Sequence, residues 1–101
     1  MAAEKITVQN VGQPGKTYQV DAAKYTEMRA RVLEALPDKA PGMKVADLID
    51  TLRPRLDPGL FPGGATAGWW VKCVQLDLEA KGLLKRTPRA PVRLYRPSSS
   101  A

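Results

Sequence analysis

The chain has 101 residues, with 16 Lys and Arg against 10 Asp and Glu, one cysteine and no histidine. That is one domain's worth of chain, enough for a single modest core. Without histidine there is no Ser-His-Asp or Cys-His nucleophile, no HExxH zinc site and no C2H2 finger; one cysteine excludes an internal disulfide and a multi-thiolate metal site.

Lys5 to Val11 alternates apolar and polar residues and is rich in β-branched side chains, which predicts a strand with Ile6 and Val8 on one face. Gly12-Gln13-Pro14-Gly15 is turn chemistry, and Lys16 to Val20 alternates again, so residues 5–20 read as a β-hairpin. Asp21 is a good N-cap for a first helix over 22–36. Tyr25, Met28, Val32 and Leu36 form its buried stripe, and Glu27 and Arg31 pair on its wet side. Pro37 stops it. A second helix is expected over 45–53, with Val45, Leu48, Ile49 and Leu52 inward and Pro54 as its end. The stretch from Arg53 to Gly64, rich in Pro and Gly, reads as a loop pinned by Leu60 and Phe61.

The third helix is predicted over 66–81 and carries three stripes. Trp70, Val71, Val74 and Leu78 face the core, Lys72, Gln75 and Glu79 form a narrow polar stripe, and Trp69, Cys73, Leu76 and Ala80 form a second apolar one. Gly82 is the expected left-handed stop. Leu83 to Thr87 and Val92 to Arg96 then read as two strands around Pro88-Arg89-Ala90-Pro91. One domain is expected over 1–97, with 98–101 as a disordered tail.

The charge is distributed unevenly. Residues 1–79 hold all ten acids and ten bases, so the net +6 lies entirely in Lys81, Lys85, Arg86, Arg89, Arg93 and Arg96. A basic, acid-free segment points to a polyanionic partner. Other chemistries fail on their residues. Gly63 and Gly68 have P-loop spacing, but Trp69-Trp70 stand where phosphate and magnesium need Lys and Ser or Thr. Asp47 and Asp50 read as a solvated helix face, Asp77 and Glu79 diverge, and Cys73 has no base beside it. No catalytic constellation, cofactor site or metal site is expected. The amino terminus turns polar at once and no apolar run nears the roughly 18 residues of a membrane span. With a free thiol, a cytoplasmic protein is the expectation.

Val71-x-x-Val74-x-x-x-Leu78-Glu79-x-x-Gly82-Leu83-Leu84, followed by a basic hairpin, resembles the end of a winged helix-turn-helix domain. The resemblance covers residues 22–96 and implies an α+β fold: a three-helix winged helix-turn-helix core with a C-terminal β-hairpin wing, here preceded by an N-terminal β-hairpin. It further implies a transcriptional regulator that binds double-stranded DNA. Thr66, Lys72 and Gln75 would lie on the reading helix, and Lys85, Arg86, Arg89, Arg93 and Arg96 on the wing, with Arg89 at its tip. The long connection between the second and third helices departs from the family's turn of about three or four residues. Gly63-Gly64 through Glu79 also resembles a family of small uncharacterised bacterial proteins, which brings no function. The second apolar stripe leaves two readings open. Either the N-terminal hairpin and the Leu60-Phe61 loop cover it, or Trp69, Cys73 and Leu76 form an interface for a homodimer or another chain without DNA.

Overall fold

The computed structural model describes residues 4–39, 41–87 and 91–97. The fold is α+β, three helices with a small antiparallel sheet at each end of the chain. Among the described residues no helix is long and apolar enough to cross a membrane.

β1 (Lys5–Gln9) and β2 (Thr17–Asp21) pair antiparallel, with Lys5 opposite Asp21 and Gln9 opposite Thr17. Period two decides the faces: Val8 is buried and Ile6 half-buried, while Lys5, Thr7 and Gln9 face solvent. Asp21 ends β2 and also caps α1 (Ala22–Ala35), its carboxylate accepting from the Lys24 amide at 2.9 Å. α1 buries Tyr25, Met28 and Val32, and Leu36 follows them inward from an extended backbone. Glu27 takes Arg31 at 3.2 Å and also accepts from the Asp57 amide at 3.0 Å, tying a distant loop to α1.

α2 (Val45–Leu52) buries Leu48 and Leu52. The stretch after it is two 3-10 turns, Arg53–Arg55 and Pro62–Gly64, joined by a further turn in which the Leu60 and Phe61 amides donate to the Asp57 carbonyl. Phe61 is inserted as expected, 1% exposed, with its ring edge-on to Trp70 at 6.2 Å. α3 (Ala67–Ala80) is the central helix and buries Ala67, Trp70, Val71, Val74 and Leu78. It starts one residue later than expected, because Thr66 takes a left-handed backbone at φ 60. At its end Gly82 is left-handed, its amide donating to the Glu79 carbonyl and the Leu83 amide to the Leu78 carbonyl, a closure only glycine makes without strain.

The C-terminal sheet has three strands, not two. β4 (Lys85–Arg86) and β5 (Arg93–Tyr95) are shorter than the alternation predicted, and β3 (Met43–Lys44) joins the far side of β5 to give the order β3-β5-β4. Met43 stands opposite Leu94, and Leu84 and Leu94 bury the root of the hairpin. Gly42 makes this junction possible, since at φ 88 a Cβ would lie 2.2 Å from the Leu94 carbonyl oxygen. The expected hairpin tip around Arg89 and the expected tail 98–101 lie outside the described residues.

Asp77 of α3 ties the N-terminal hairpin to two helices. Its side chain is fully buried and accepts from the Gln9 amide at 2.8 Å, from the Tyr25 hydroxyl, and from Lys81 Nζ at 2.8 Å. Lys81 also sits 5.9 Å from the Tyr25 ring centroid. Burial, and then the bond to Asp77, push the Tyr25 phenol well above its ordinary pKa.

Two stability predictions follow from these contacts. Asp77→Ala leaves three donors, the Gln9 amide, the Tyr25 hydroxyl and Lys81, without their acceptor and lowers unfolding free energy by about 2–4 kcal/mol in urea denaturation. Gly42→Ala and Gly15→Ala share left-handed backbones, but only Gly42 faces an obstruction. Gly15→Ala is expected to cost about 1 kcal/mol and Gly42→Ala clearly more; equal losses would remove the close approach to Leu94 as the cause.

Candidate nucleic-acid interface

Three elements bound the outer side of α3: the N-terminal hairpin, the C-terminal sheet and the loop before the helix. Thr66 is exposed at the helix start, but its hydroxyl donates to the Ala65 carbonyl at 2.6 Å and does not cap the helix. The first amides of α3 thus have no side-chain acceptor from the cap residue. Lys72, one and a half turns on, is exposed.

Gln75 is not on a reading surface. It is 4% exposed, and its Nε2 donates to Glu79 Oε2 at 3.0 Å. Placed by periodicity on a wet stripe, it is instead covered together with Glu79. The cover is Arg86 of β4, which donates Nε to Glu79 Oε1 at 2.5 Å and Nη2 to Oε2 at 2.8 Å. This bidentate pair leaves the Glu79 side chain 5% exposed, and Glu79 raises the Arg86 guanidinium above its ordinary range. Arg86 is therefore a clamp between the C-terminal sheet and α3, not a cation free to meet phosphate.

Lys85 is exposed beside it on β4. Arg93 is half-buried: its amide donates to Thr87 Oγ1 at 3.0 Å and its Nη1 lies 3.5 Å from the Gly42 carbonyl. Arg96 closes the opposite edge, its amide on the Pro37 carbonyl at 2.8 Å and its Nε on the Leu36 carbonyl at 3.1 Å, which satisfies the carboxyl end of α1. Arg89 lies outside the described residues.

The second apolar stripe is covered in part. β1 runs along it, the Val11 amide donating to the Leu76 carbonyl at 3.3 Å. Cys73 and Leu76 are half-buried, whereas Trp69 is 59% exposed and stands edge-on to Trp70 at 5.0 Å. Hairpin and helix leave a groove of about 400 Å³ between them, walled by Tyr18, Val20, Trp69 and Leu76. Burial and then the Asp77 charge push the Cys73 thiol up to about 11.

Periodicity could not find the Asp77 hub or the Glu79–Arg86 clamp, because the first draws on Gln9 and Tyr25 far back in the chain and the second joins a helix to a strand across the turn between them. Asp77 did leave a trace: on a helical wheel it falls between Trp70 and Cys73, inside the apolar arc, where a carboxylate needs buried partners.

A family model matches residues 5–94, and the chain belongs to that family, DUF6958, a family of unknown function. No curated protein and no solved structure matches the chain.

The raised Cys73 thiol is checked by alkylation. At pH 8 the folded chain should react with iodoacetamide about a hundredfold more slowly than the urea-unfolded chain, because a thiol at about 11 is that much poorer in thiolate than one at the ordinary 9.0. The folded-state rate should climb as pH rises toward 11; equal rates in the two states would contradict the burial of Cys73.

Proposed function

We propose that this member of the family is a double-stranded DNA-binding module that grips the phosphate backbone. The C-terminal hairpin acts as the wing, and the amino end of α3 supplies the second point of contact. The observation that carries the reading is the neutralisation of both acids on α3. Asp77 is fully buried against Lys81, and Glu79 is 5% exposed beneath Arg86. Without those pairs a carboxylate on this helix would repel phosphate. With them, the cations that face outward act without opposition from the same surface.

Four such cations are on described residues: Lys72 on α3, Lys85 on β4, and Arg93 and Arg96 on and after β5. Carbonyl hydrogen bonds hold Arg93 and Arg96 in place and leave their charge intact. The uncapped start of α3 adds backbone amides oriented for a phosphate.

The same geometry argues against strong base reading. Gln75 is the side chain suited to adenine, and it is bonded to Glu79. Only Thr66 and Lys72 of the expected reading residues face solvent. A role in transcription regulation would thus rest on DNA shape or on a partner chain for its site selection.

The test is anisotropy of a labelled 20-base-pair duplex at 50 and 200 mM salt. Three or four phosphate contacts predict about 50–150-fold weaker binding at the higher salt. Lys72→Glu and Lys85→Glu should each weaken binding and flatten the salt slope by about one unit. Duplexes of unrelated sequence should bind within about tenfold of one another. Absence of binding at 50 mM salt overturns the proposal.

A further inference from the structure

Among the described residues four large apolar side chains are exposed: Val11, Tyr18, Trp69 and Leu83. Two of them, Tyr18 and Trp69, stand on opposite elements and wall the groove between the N-terminal hairpin and α3. Val8, Val20, Cys73 and Leu76 complete its apolar lining, and its volume of about 400 Å³ falls within the range of about 300–1,000 Å³ found for ligand clefts. A smaller hollow of about 210 Å³ continues along the same seam, sharing Gln9 and Asn10 and adding Val11, Lys16 and Ala80.

The charge along this seam has one sign. Lys72 lines the larger hollow and Lys16 the smaller, and no carboxylate lines either. The acids nearest on α3 are withdrawn, Asp77 to Lys81 and Glu79 to Arg86. Burial keeps the Cys73 thiol neutral, so it adds no negative charge to the floor.

We propose that this seam docks a short segment of another protein that carries apolar anchor residues flanked by carboxylates. An apolar side chain would seat between Tyr18 and Trp69, and carboxylates before and after it would meet Lys72 and Lys16. Exposed aromatics beside a cleft are the residues that dominate binding energy at protein interfaces. Charge complementarity selects the occupant. A second copy of this chain, docked seam to seam by a two-fold axis, would bring two surfaces lined by Lys72 and Lys16 together with no carboxylate from either lining to pair them. Single-stranded nucleic acid would find rings to stack on, but its backbone needs a continuous basic track, and among the described residues Lys72 is the one cation that lines the larger hollow. This inference goes beyond the DNA reading and does not depend on it: the seam is built on the N-terminal hairpin and α3 and not on the wing, and the two surfaces share Lys72.

The probes are three fluorescein-labelled 12-residue peptides: one of Leu and Phe among Glu and Asp, one with its acids replaced by Lys, and one acidic without apolar residues. The first should bind the full chain and shift Trp69 emission; the other two should bind at least tenfold more weakly. Trp69→Ala should abolish binding with the circular dichroism spectrum unchanged. Lys72→Glu should weaken the acidic peptide about tenfold and improve the basic one. Lys85→Glu should weaken duplex DNA and leave peptide binding within twofold, which separates a failure of this surface from a failure of the wing. The proposal is overturned by equal affinity for the acidic and basic peptides, or by unchanged binding to Trp69→Ala. It is equally overturned if an oligothymidylate and not the acidic peptide shifts Trp69 emission, if sedimentation shows a dimer that Trp69→Ala dissociates and no peptide binding, or if no probe binds.

Discussion

The buried carboxylate of Asp77 is the contact on which the arrangement of this domain turns. A two-stranded hairpin is marginal by itself in water, and among the described residues β1 and β2 have no third strand. Their attachment comes from Val8 in the core with Ile6 and Val20 against it, from the Val11 amide on the Leu76 carbonyl, and from the Gln9 amide on Asp77. The same carboxylate receives the Tyr25 hydroxyl from α1 and Lys81 from the next turn of α3. One side chain thus joins strand, first helix and third helix. A charge so deeply placed is tolerable only because all three donors converge on it.

A second buried pair repeats the device on the opposite side of α3. Glu79 receives Gln75 from its own helix and a two-pronged Arg86 from β4. The hairpin flanks one side of the helix and the C-terminal sheet the other, each locked by an acid. What is left outward is a narrow ridge in which Trp69 and Lys72 are exposed and Leu76 half-buried. Both surfaces proposed for this protein are consequences of that division. Neither could exist if Asp77 or Glu79 faced solvent, because each would place a negative charge beside the ridge.

Local rules read the sequence well where a segment's fate is decided by itself. The stripe Tyr25, Met28, Val32 and Leu36 is the core face of α1, Asp21 caps it, and Gly82 closes α3, because helical period, a cap and a left-handed backbone are short-range properties. The same rules misplace Gln75 and Glu79. Three polar residues at helical spacing read as a wet stripe, yet a guanidinium seven residues beyond Glu79 folds back over that carboxylate, and Gln75, bonded to Glu79, is buried as well. β3 escapes for another reason: Met43 and Lys44 are too short a run to alternate, and they become a strand only because Leu94 and Arg93 lie opposite. Thr66 was read as helical and is left-handed instead, a conformation rare for a β-branched residue. Of the candidate DNA contacts, Lys72 and Lys85 are legible as exposed cations, whereas the clamp role of Arg86 depends on a strand folding back on the helix before it, and the role of Arg96 on the Leu36 carbonyl sixty residues earlier.

The net +6 takes on a different meaning once its members are placed. Lys81 and Arg86 each meet a buried carboxylate and are cancelled locally. Arg93 and Arg96 meet carbonyls, which orient a guanidinium without cancelling it. A cation already held in position loses less side-chain entropy when an anion arrives than one that waves free, so these two are better placed for contact than their partial burial implies. Lys85 and Lys72 remain exposed and contribute mainly through long-range attraction, which salt screens. The basic segment is therefore not one uniform patch. It divides into cations that build the fold by meeting acids, cations fixed by carbonyls on and just after the central strand β5, and exposed lysines. Only the last two classes can answer a polyanion, and they do so around a helix whose own acids have been removed from view.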